Sequence, residues 1–461
     1  MEVYKLKSGF INDINMILAT DFYQLTMIAA YYQNNLENKR NEKDDLACFD
    51  LFVRQYPKNR NYLIFAGLEQ VIYFLQNAKF TPKTIEFLRK KEVFKNIDSR
   101  FFDEYLPKFR FNLDVWSMKE GNYFFPNEPI MRIQGPMIPA QLAETYLLNV
   151  INFQTIVASK ASRIKNIAPD KVLLEFGTRR SHSPLAGVYA ARASYIAGFN
   201  GTSNVVADLE LGINSSGTMA HSFVQRFDEE MESFEVYYKI YGEDSIFLID
   251  TYDTEKAAEK VCAYDNSFRG VRIDSGDLIS HAKEVRRILD KKGCDKAIIV
   301  ASSDLNEYKI KDIIDKNAPI DAFGVGTELA TSRDDPTVAA VYKLMEYNGI
   351  PRIKISEEKI TYPGKKQVYR IFNDKGMFRE DILMLDDEPA PSNSETLLVP
   401  IMKKGEIIYE VPDLENIKKY YMENIKKLPV EYKKLAENHV FKLKISEKLS
   451  NLTNSLKQKY S

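Results

Sequence analysis

Residues 215–221, SSGTMAH, lead a run of small side chains into His221, one of only four histidines in the chain. A lone histidine is commonly structural. An imidazole beside a phosphate site, however, serves as a nucleophile or a general acid/base, and spacing alone does not choose between these readings. Other stretches carry the marks of such a site. In GVRIDSGDL, Arg272 and Asp274 are two apart, so on a strand they share a face. They form either a structural salt bridge or a site for a phosphorylated, metal-chelated ligand. In the second case the guanidinium meets phosphate or a ring, and the carboxylate meets hydroxyls or Mg²⁺-bound water. AFGVGTEL sets Gly324, Gly326 and Thr327 at the end of an apolar run. Paired glycines leave backbone N–H groups open to phosphate, although glycines equally make plain turns. EFGTRR puts Phe176 beside Gly177, Arg179 and Arg180. That is either an aromatic and two cations around a flat anion, or a phenylalanine that is simply core.

These residues need elements to position them. From residue 141 a rhythm sets in. QLAETYLLNVINFQTIVASKASRIKNIA is a long helical pattern, and then short apolar runs (KVLLEF, SIFLID, GVRIDSG, KAIIVASSD, DAFGVG) alternate with helical stretches of ten or more residues. This predicts parallel βα units. Their number fits an incomplete, irregular α/β barrel of the TIM type, with a doubly wound open sheet as the alternative. The polar residues follow the strands, in FGTRR, DTYD, RIDSGD, ASSDLN and FGVGTE. In a parallel barrel such loops share one face, where active sites form; each also suits helix capping. The first 140 residues read as an N-terminal α/β domain, 141–345 as the catalytic barrel, and 346–461 as a segment packing back on the N-terminal domain in an α+β arrangement. Near the start, the Thr-Asp opening ATDFYQLTMIAAYYQNN predicts a side-chain-capped helix, LACFDLFVR a strand and LIFAGLEQVIYFLQN a helix.

The composition narrows the class. Of 461 residues, 44% are hydrophobic and 28% charged, which suits a globular protein with a sizeable core, and the net charge of −1 argues for neither nucleic acid nor an anionic membrane. The basic C-terminal stretch KLKISEKLSNLTNSLKQKYS reads as a solvated helix or tail. Cys48, Cys262 and Cys294 are far apart and offer neither a zinc spacing nor a disulfide framework, so buried thiols and a cytoplasmic location are expected. The polar N-terminal stretch lacks the apolar block of a signal peptide, and no apolar run reaches membrane-span length.

The blocks ATDFYQLTM, EFGTRRSHSPLAG, GFNGTSNV, GTMAHSFVQ, FLIDTYDT, GVRIDSGDL, ASSDLNE, AFGVGTEL and YPGKKQVYR, in this order, resemble the nicotinate phosphoribosyltransferase family over nearly the whole chain. The resemblance implies synthesis of nicotinate mononucleotide from nicotinate and 5-phosphoribosyl 1-diphosphate (PRPP) for NAD. It implies Mg²⁺ carried by PRPP, ATP as co-substrate, and a homodimer whose sites are completed by the partner. Under it, Tyr23 reaches across to stack on the nicotinate ring and Phe176 takes the other face. Arg272 meets the carboxylate, and Arg179 and Thr218 contact the ligands. Asp274 lies at the ribose and Asp250 near the metal or diphosphate, while Gly326 and Thr327 hold the 5′-phosphate. His221 becomes a phosphohistidine. Nicotinamide-using relatives carry aspartate where this chain has Ser203, which favours nicotinate. His182 receives no role. The alternatives are another pyridine phosphoribosyltransferase, a relative that binds without catalysis, or an unrelated barrel aldolase. The aldolase would need a strand-end lysine that none of the five motifs has.

Overall fold

The structure is a computed structural model that describes residues 11–41, 44–355, 361–435 and 438–460. The N-terminal residues 1–10 and residues 359–360, at the head of the KITYPGKK stretch, lie outside them. Six short strands form one parallel sheet: β1 (Val172–Glu175), β2 (Gly201–Thr202), β3 (Ile246–Leu248), β4 (Gly270–Ile273), β5 (Ile298–Ala301) and β6 (Ala322–Val325). Their order is β2-β1-β6-β5-β4-β3. Helices cover this sheet, so strands such as β5 and β6 are apolar runs with no polar face. The helix Leu278–Lys291 shows why the crossovers are helical. Ala282, Val285, Ile288 and Leu289 recur at helical spacing and are the residues it buries. Gly293, at φ +80°, follows its end in the conformation glycine tolerates best.

The barrel expected from the alternation is not closed. Among the described residues no ladder joins β2 to β3, and only the single bridge Thr202↔Ser215 extends the β2 edge. The chain between them spends its length on the helices Val205–Leu211, His221–Gln225 and Glu230–Tyr241. The observed fold is therefore mixed α/β, with an open parallel sheet.

The rest of the chain builds around antiparallel strands. A seven-stranded sheet runs in the order Ile350–Pro351, Ala340–Tyr347, Leu46–Val53, Pro129–Pro136, Asp114–Ser117, Val399–Lys403, Glu406–Ile407. Three strands from the N-terminal part thus form the centre of one sheet, flanked on each side by two strands from the C-terminal part. The helix Glu144–Ile167 connects this part to β1 and buries most of its length in a shared apolar core. Two local expectations are corrected. Asp21 precedes the helix Phe22–Glu37, but its carboxylate caps no helix N–H; it accepts the Thr145 hydroxyl at 2.9 Å instead. In LIFAGLEQVIYFLQN, Leu63–Ile64 form a strand, Gly67 turns the chain at φ +109°, and the helix runs only from Leu68 to Asn77. The helical reading of the basic C-terminal stretch holds: Glu447–Tyr460 is a largely solvated helix, sharpened only in that it buries Leu449 and Thr453. All three cysteines are buried thiols.

Candidate active site

The loops after β1, β4, β5 and β6 meet around a cavity of about 240 Å³ lined by Phe176, Arg179, Arg180, Arg272, Asp274, Ser302, Ser303, Asp304, Gly324, Gly326 and Thr327. A larger cleft of about 820 Å³, bordered by Tyr32, Tyr105, Phe109 and Lys108, lies at the antiparallel part and gathers no loop of the parallel sheet, so size alone does not mark the site. Helix capping does not account for the loop polarity. In three successive loops the cap is the later polar residue. Asp253 accepts from Lys256 N, Asp277 from Ile279 N and Ser280 N, and Asn306 from Tyr308 N and Lys309 N. The earlier one, Asp250, Asp274 or Asp304, is left for other work.

Arg272 is part-buried, and one of its guanidinium nitrogens donates to Thr218 Oγ1, which ties the loop before His221 to β4. Burial lowers the Arg272 pKa, and the nearby Arg179 cation lowers it further against the carboxylates Asp274 and Asp250. Two guanidiniums in one cavity repel each other until an anion sits between them. Asp274 accepts the Ser302 hydroxyl, which turns its carboxylate along the cavity wall. Asp250 Oδ2 accepts from Asp274 N at 3.0 Å and from Ser275 Oγ at 2.5 Å. Its Oδ1 is buried with no hydrogen-bond partner. Facing it, His221 Nε2 stands 4.0 Å from Asp250 Oδ1 and 4.0 Å from Asp274 Oδ2, too far for hydrogen bonds. His221 Nδ1 lies 3.2 Å from Thr251 Oγ1.

The glycines are explained by close approach. A Cβ on Gly324 would lie 2.3 Å from Phe176 Cδ2, so the ring packs closely over Gly324 while lining the cavity. A Cβ on Gly326 would press on the Phe176 carbonyl at 3.1 Å.

Of the residues singled out from sequence, Phe176, Arg179, Arg272, Asp274, Gly326 and Thr327 line one cavity; Thr218, Asp250 and His221 adjoin it through the contacts above. Ser203 sits one strand further along, its N–H donating to the Glu175 carbonyl at 2.8 Å. Tyr23 does not line the cavity of its own chain; it is half exposed near the start of the helix Phe22–Glu37. Burial, reinforced by Glu144, pushes its hydroxyl up to about 12. Sequence reasoning passed over Ser302, Ser303, Asp304, Thr251 and Glu175. Ser303 and Asp304 take φ of +99° and +37°, strain that non-glycine residues carry mainly at functional turns. The motif ASSDLN drew attention to this loop without singling out residues in it. As for a metal, no group of three or more His, Cys, Asp or Glu side chains placed to hold a metal ion is present among the described residues. The unpartnered Asp250 oxygen and the cavity-facing Asp274 suit the water shell of a ligand-borne Mg²⁺ rather than a protein cage.

Known proteins match along the whole chain. The N-terminal domain model of nicotinate phosphoribosyltransferase covers residues 18–152, the family model 172–381 and the C-terminal domain model 390–453. A nicotinate phosphoribosyltransferase of Bacillus subtilis is 39% identical over 96% of this chain and 95% of its own length. One of Mycobacterium tuberculosis is 39% identical over 91% of this chain and 89% of its own. The crystal structure of human nicotinic acid phosphoribosyltransferase superposes with a TM-score of 0.84 at 26% identity, covering 95% of this chain and 99% of that one.

Proposed function

The chain belongs to the nicotinate phosphoribosyltransferase family, and from that premise we propose how its residues make nicotinate mononucleotide and diphosphate from nicotinate and PRPP. The chain is a transferase of NAD biosynthesis. One convergence supports the assignment of roles: a flat aromatic, two guanidiniums, a carboxylate and a glycine turn border one cavity, with His221 and a second carboxylate adjoining it.

Gly326, Thr327 and the strained Ser303–Asp304 turn offer backbone N–H groups to the 5′-phosphate. Asp274 takes the ribose hydroxyls. Phe176, backed by Gly324, stacks on the pyridine, and Arg272, steered by Thr218, meets its carboxylate. The C1–O bond to diphosphate breaks with positive charge developing on the ribose ring. The pyridine nitrogen then forms the C1–N bond from the opposite face. The chain supplies alignment, worth several orders of magnitude for a step of this kind. Mg²⁺ arriving with PRPP neutralises the departing charge; Asp250 and Asp274 would hold its waters.

ATP coupling passes through His221. Nε2 faces the two carboxylates, and Nδ1, 3.2 Å from the Thr251 hydroxyl, serves as the nucleophile. Attack on the ATP γ-phosphorus forms a P–N bond and releases ADP. The phosphohistidine then favours PRPP binding, and its hydrolysis drives product formation. Ser203 in place of a carboxylate leaves nicotinate unopposed and gives nicotinamide no acceptor. We read the sheet order β2-β1-β6-β5-β4-β3 as a barrel opened between β2 and β3. Two exposed apolar surfaces support a homodimer: Phe22, Tyr23 and Met27 on one helix, and Val205, Val206 and Leu209 on the helix beside Ser203. Pairing them by two-fold symmetry brings the partner's Tyr23 to the pyridine. A cytoplasmic location fits the three thiols.

The test is nicotinate mononucleotide formation by the purified protein from nicotinate, PRPP and Mg²⁺, with and without ATP, beside His221→Ala and with nicotinamide competing. ATP stimulation in the parent alone is the expected result. Equal stimulation of the variant would refute the phosphohistidine, and no product from either pyridine would refute the transferase.

A further inference from the structure

We infer that Glu175 is a positioning residue that locks the turn bearing Phe176 and Arg179 to the strand end bearing Ser203, and so sets both nicotinate binding and the preference over nicotinamide; this rests on the transferase reading above. Glu175 is the last residue of β1 and has no exposed surface. Its Oε1 accepts the Gly177 N–H, and its Oε2 accepts the Thr202 hydroxyl at 2.7 Å. Its backbone carbonyl accepts the Ser203 N–H at 2.8 Å. Thr202 Oγ1 also accepts the Asn204 N–H at 3.0 Å, which fixes the turn after Ser203. A single side chain thus spans the two loops that carry the proposed ring-stacking and ring-selecting residues.

Among the described residues no cation pairs with this carboxylate. Burial raises it to about 7, opposed by the Thr202 and Gly177 hydrogen bonds, and no charged group contributes. Arg179 and Arg180 on its own turn are exposed, and Glu328 on the neighbouring short helix pairs with Arg333 at 3.3 Å. An apolar residue would be cheaper to bury at an inner strand position. What it cannot do is hold a backbone N–H and a hydroxyl at one separation. The turn is pressed against the carboxylate without slack: a Cβ on Gly177 would stand 2.6 Å from Glu175 Oε1 and 2.4 Å from Ala330 Cβ.

The experiment compares Glu175→Leu, Glu175→Gln and Thr202→Val in the full-length enzyme, with initial rates over nicotinate, PRPP and nicotinamide. Losing charge-assisted hydrogen bonds in Glu175→Leu should raise the nicotinate KM about tenfold, leave the PRPP KM within about twofold and narrow the nicotinate-over-nicotinamide ratio. Glu175→Gln keeps both links if its amide oxygen accepts the Gly177 N–H and its NH2 donates to Thr202 Oγ1, and should stay within about threefold of the parent, while Thr202→Val, which removes one link, should raise the nicotinate KM roughly three- to fivefold. In the parent the nicotinate KM should climb as pH falls through about 7, where the carboxylate gains a proton and becomes a weaker acceptor; Glu175→Gln should lack this inflection. An unchanged nicotinate KM in Glu175→Leu overturns the inference, as does a parallel rise in both substrate KM values. If Glu175→Leu does not fold, Thr202→Val decides by the same criteria. A parent that makes no mononucleotide defeats the transferase reading itself, a separate outcome.

Discussion

Two charged clusters in this molecule look alike by residue type and differ in how they are partnered. The first joins the long helix Glu144–Ile167 to its neighbours. Lys160 Nζ lies 2.8 Å from both Glu307 and Asp334, Arg163 Nε is 2.9 Å from Glu307, and Arg60 is 2.7 Å from Asp334. Burial would raise the Glu307 carboxyl, but Lys160 and Arg163 beside it hold it below its ordinary range. Asp334 is likewise held low, by Arg60 and Lys160, against its burial. The second is the cavity cluster, where His221 stands 4.0 Å from each of two carboxylates and Arg272 and Asp274 line the cavity itself. A cluster whose charges meet each other at contact distance is structure. One whose charges face a cavity and stop short of one another is arranged for something that arrives.

The sharpest way to break this comparison is to remove a charge from each cluster. Glu307→Ala leaves two buried cations short of a carboxylate and should cost about 3–5 kcal/mol of stability by calorimetry, with kcat/KM of the folded protein within about twofold of the parent. The pH dependence sharpens it. A carboxyl depressed on folding contributes stability that is present above its unfolded pKa of about 4 and is lost as pH falls toward the folded value. The stability gap between parent and Glu307→Ala should therefore shrink as pH is lowered from about 6 to 3.

Arg272→Ala should do the opposite. Loss of a charge-assisted contact to substrate, about 2–3 kcal/mol, predicts a roughly 30- to 150-fold fall in kcat/KM. The thermal midpoint should hold or rise, because burial already disfavours this guanidinium. Equal loss of stability in both variants would erase the distinction. A smaller effect is expected from Gly324→Ala, where the added Cβ displaces the Phe176 ring; about 1–2 kcal/mol should show in the nicotinate KM, with little change for PRPP. The smallest belongs to an exposed pair, Lys311 and Asp315 at 2.6 Å, where Lys311→Ala should alter stability by less than about 0.5 kcal/mol in urea unfolding.

Much of the molecule was legible from residues alone. The apolar runs KAIIV and DAFGV became β5 and β6 because a strand buried on both faces has no other composition, and the helices between them follow from periodicity. The motifs around Arg272, Asp274, Gly326 and Thr327 were legible too, since strand-end loops of parallel units converge by topology. The open edge between β2 and β3 was not, because closure depends on pairing between strands distant in sequence. Nor was the fate of Asp21, whose local capping role lost to a hydroxyl 124 residues away.

The sequence by itself determined which side chains stand at strand ends and which runs form strands and helices, since spacing and covalent geometry act over a few residues. Only the tertiary structure decided that Asp250 and not Asp253 faces His221, that Arg272 is steered by Thr218, and that Glu175 spans two loops. Those outcomes depend on burial and on partners brought from elsewhere in the chain, and a carboxylate's role follows from what it meets once water is gone.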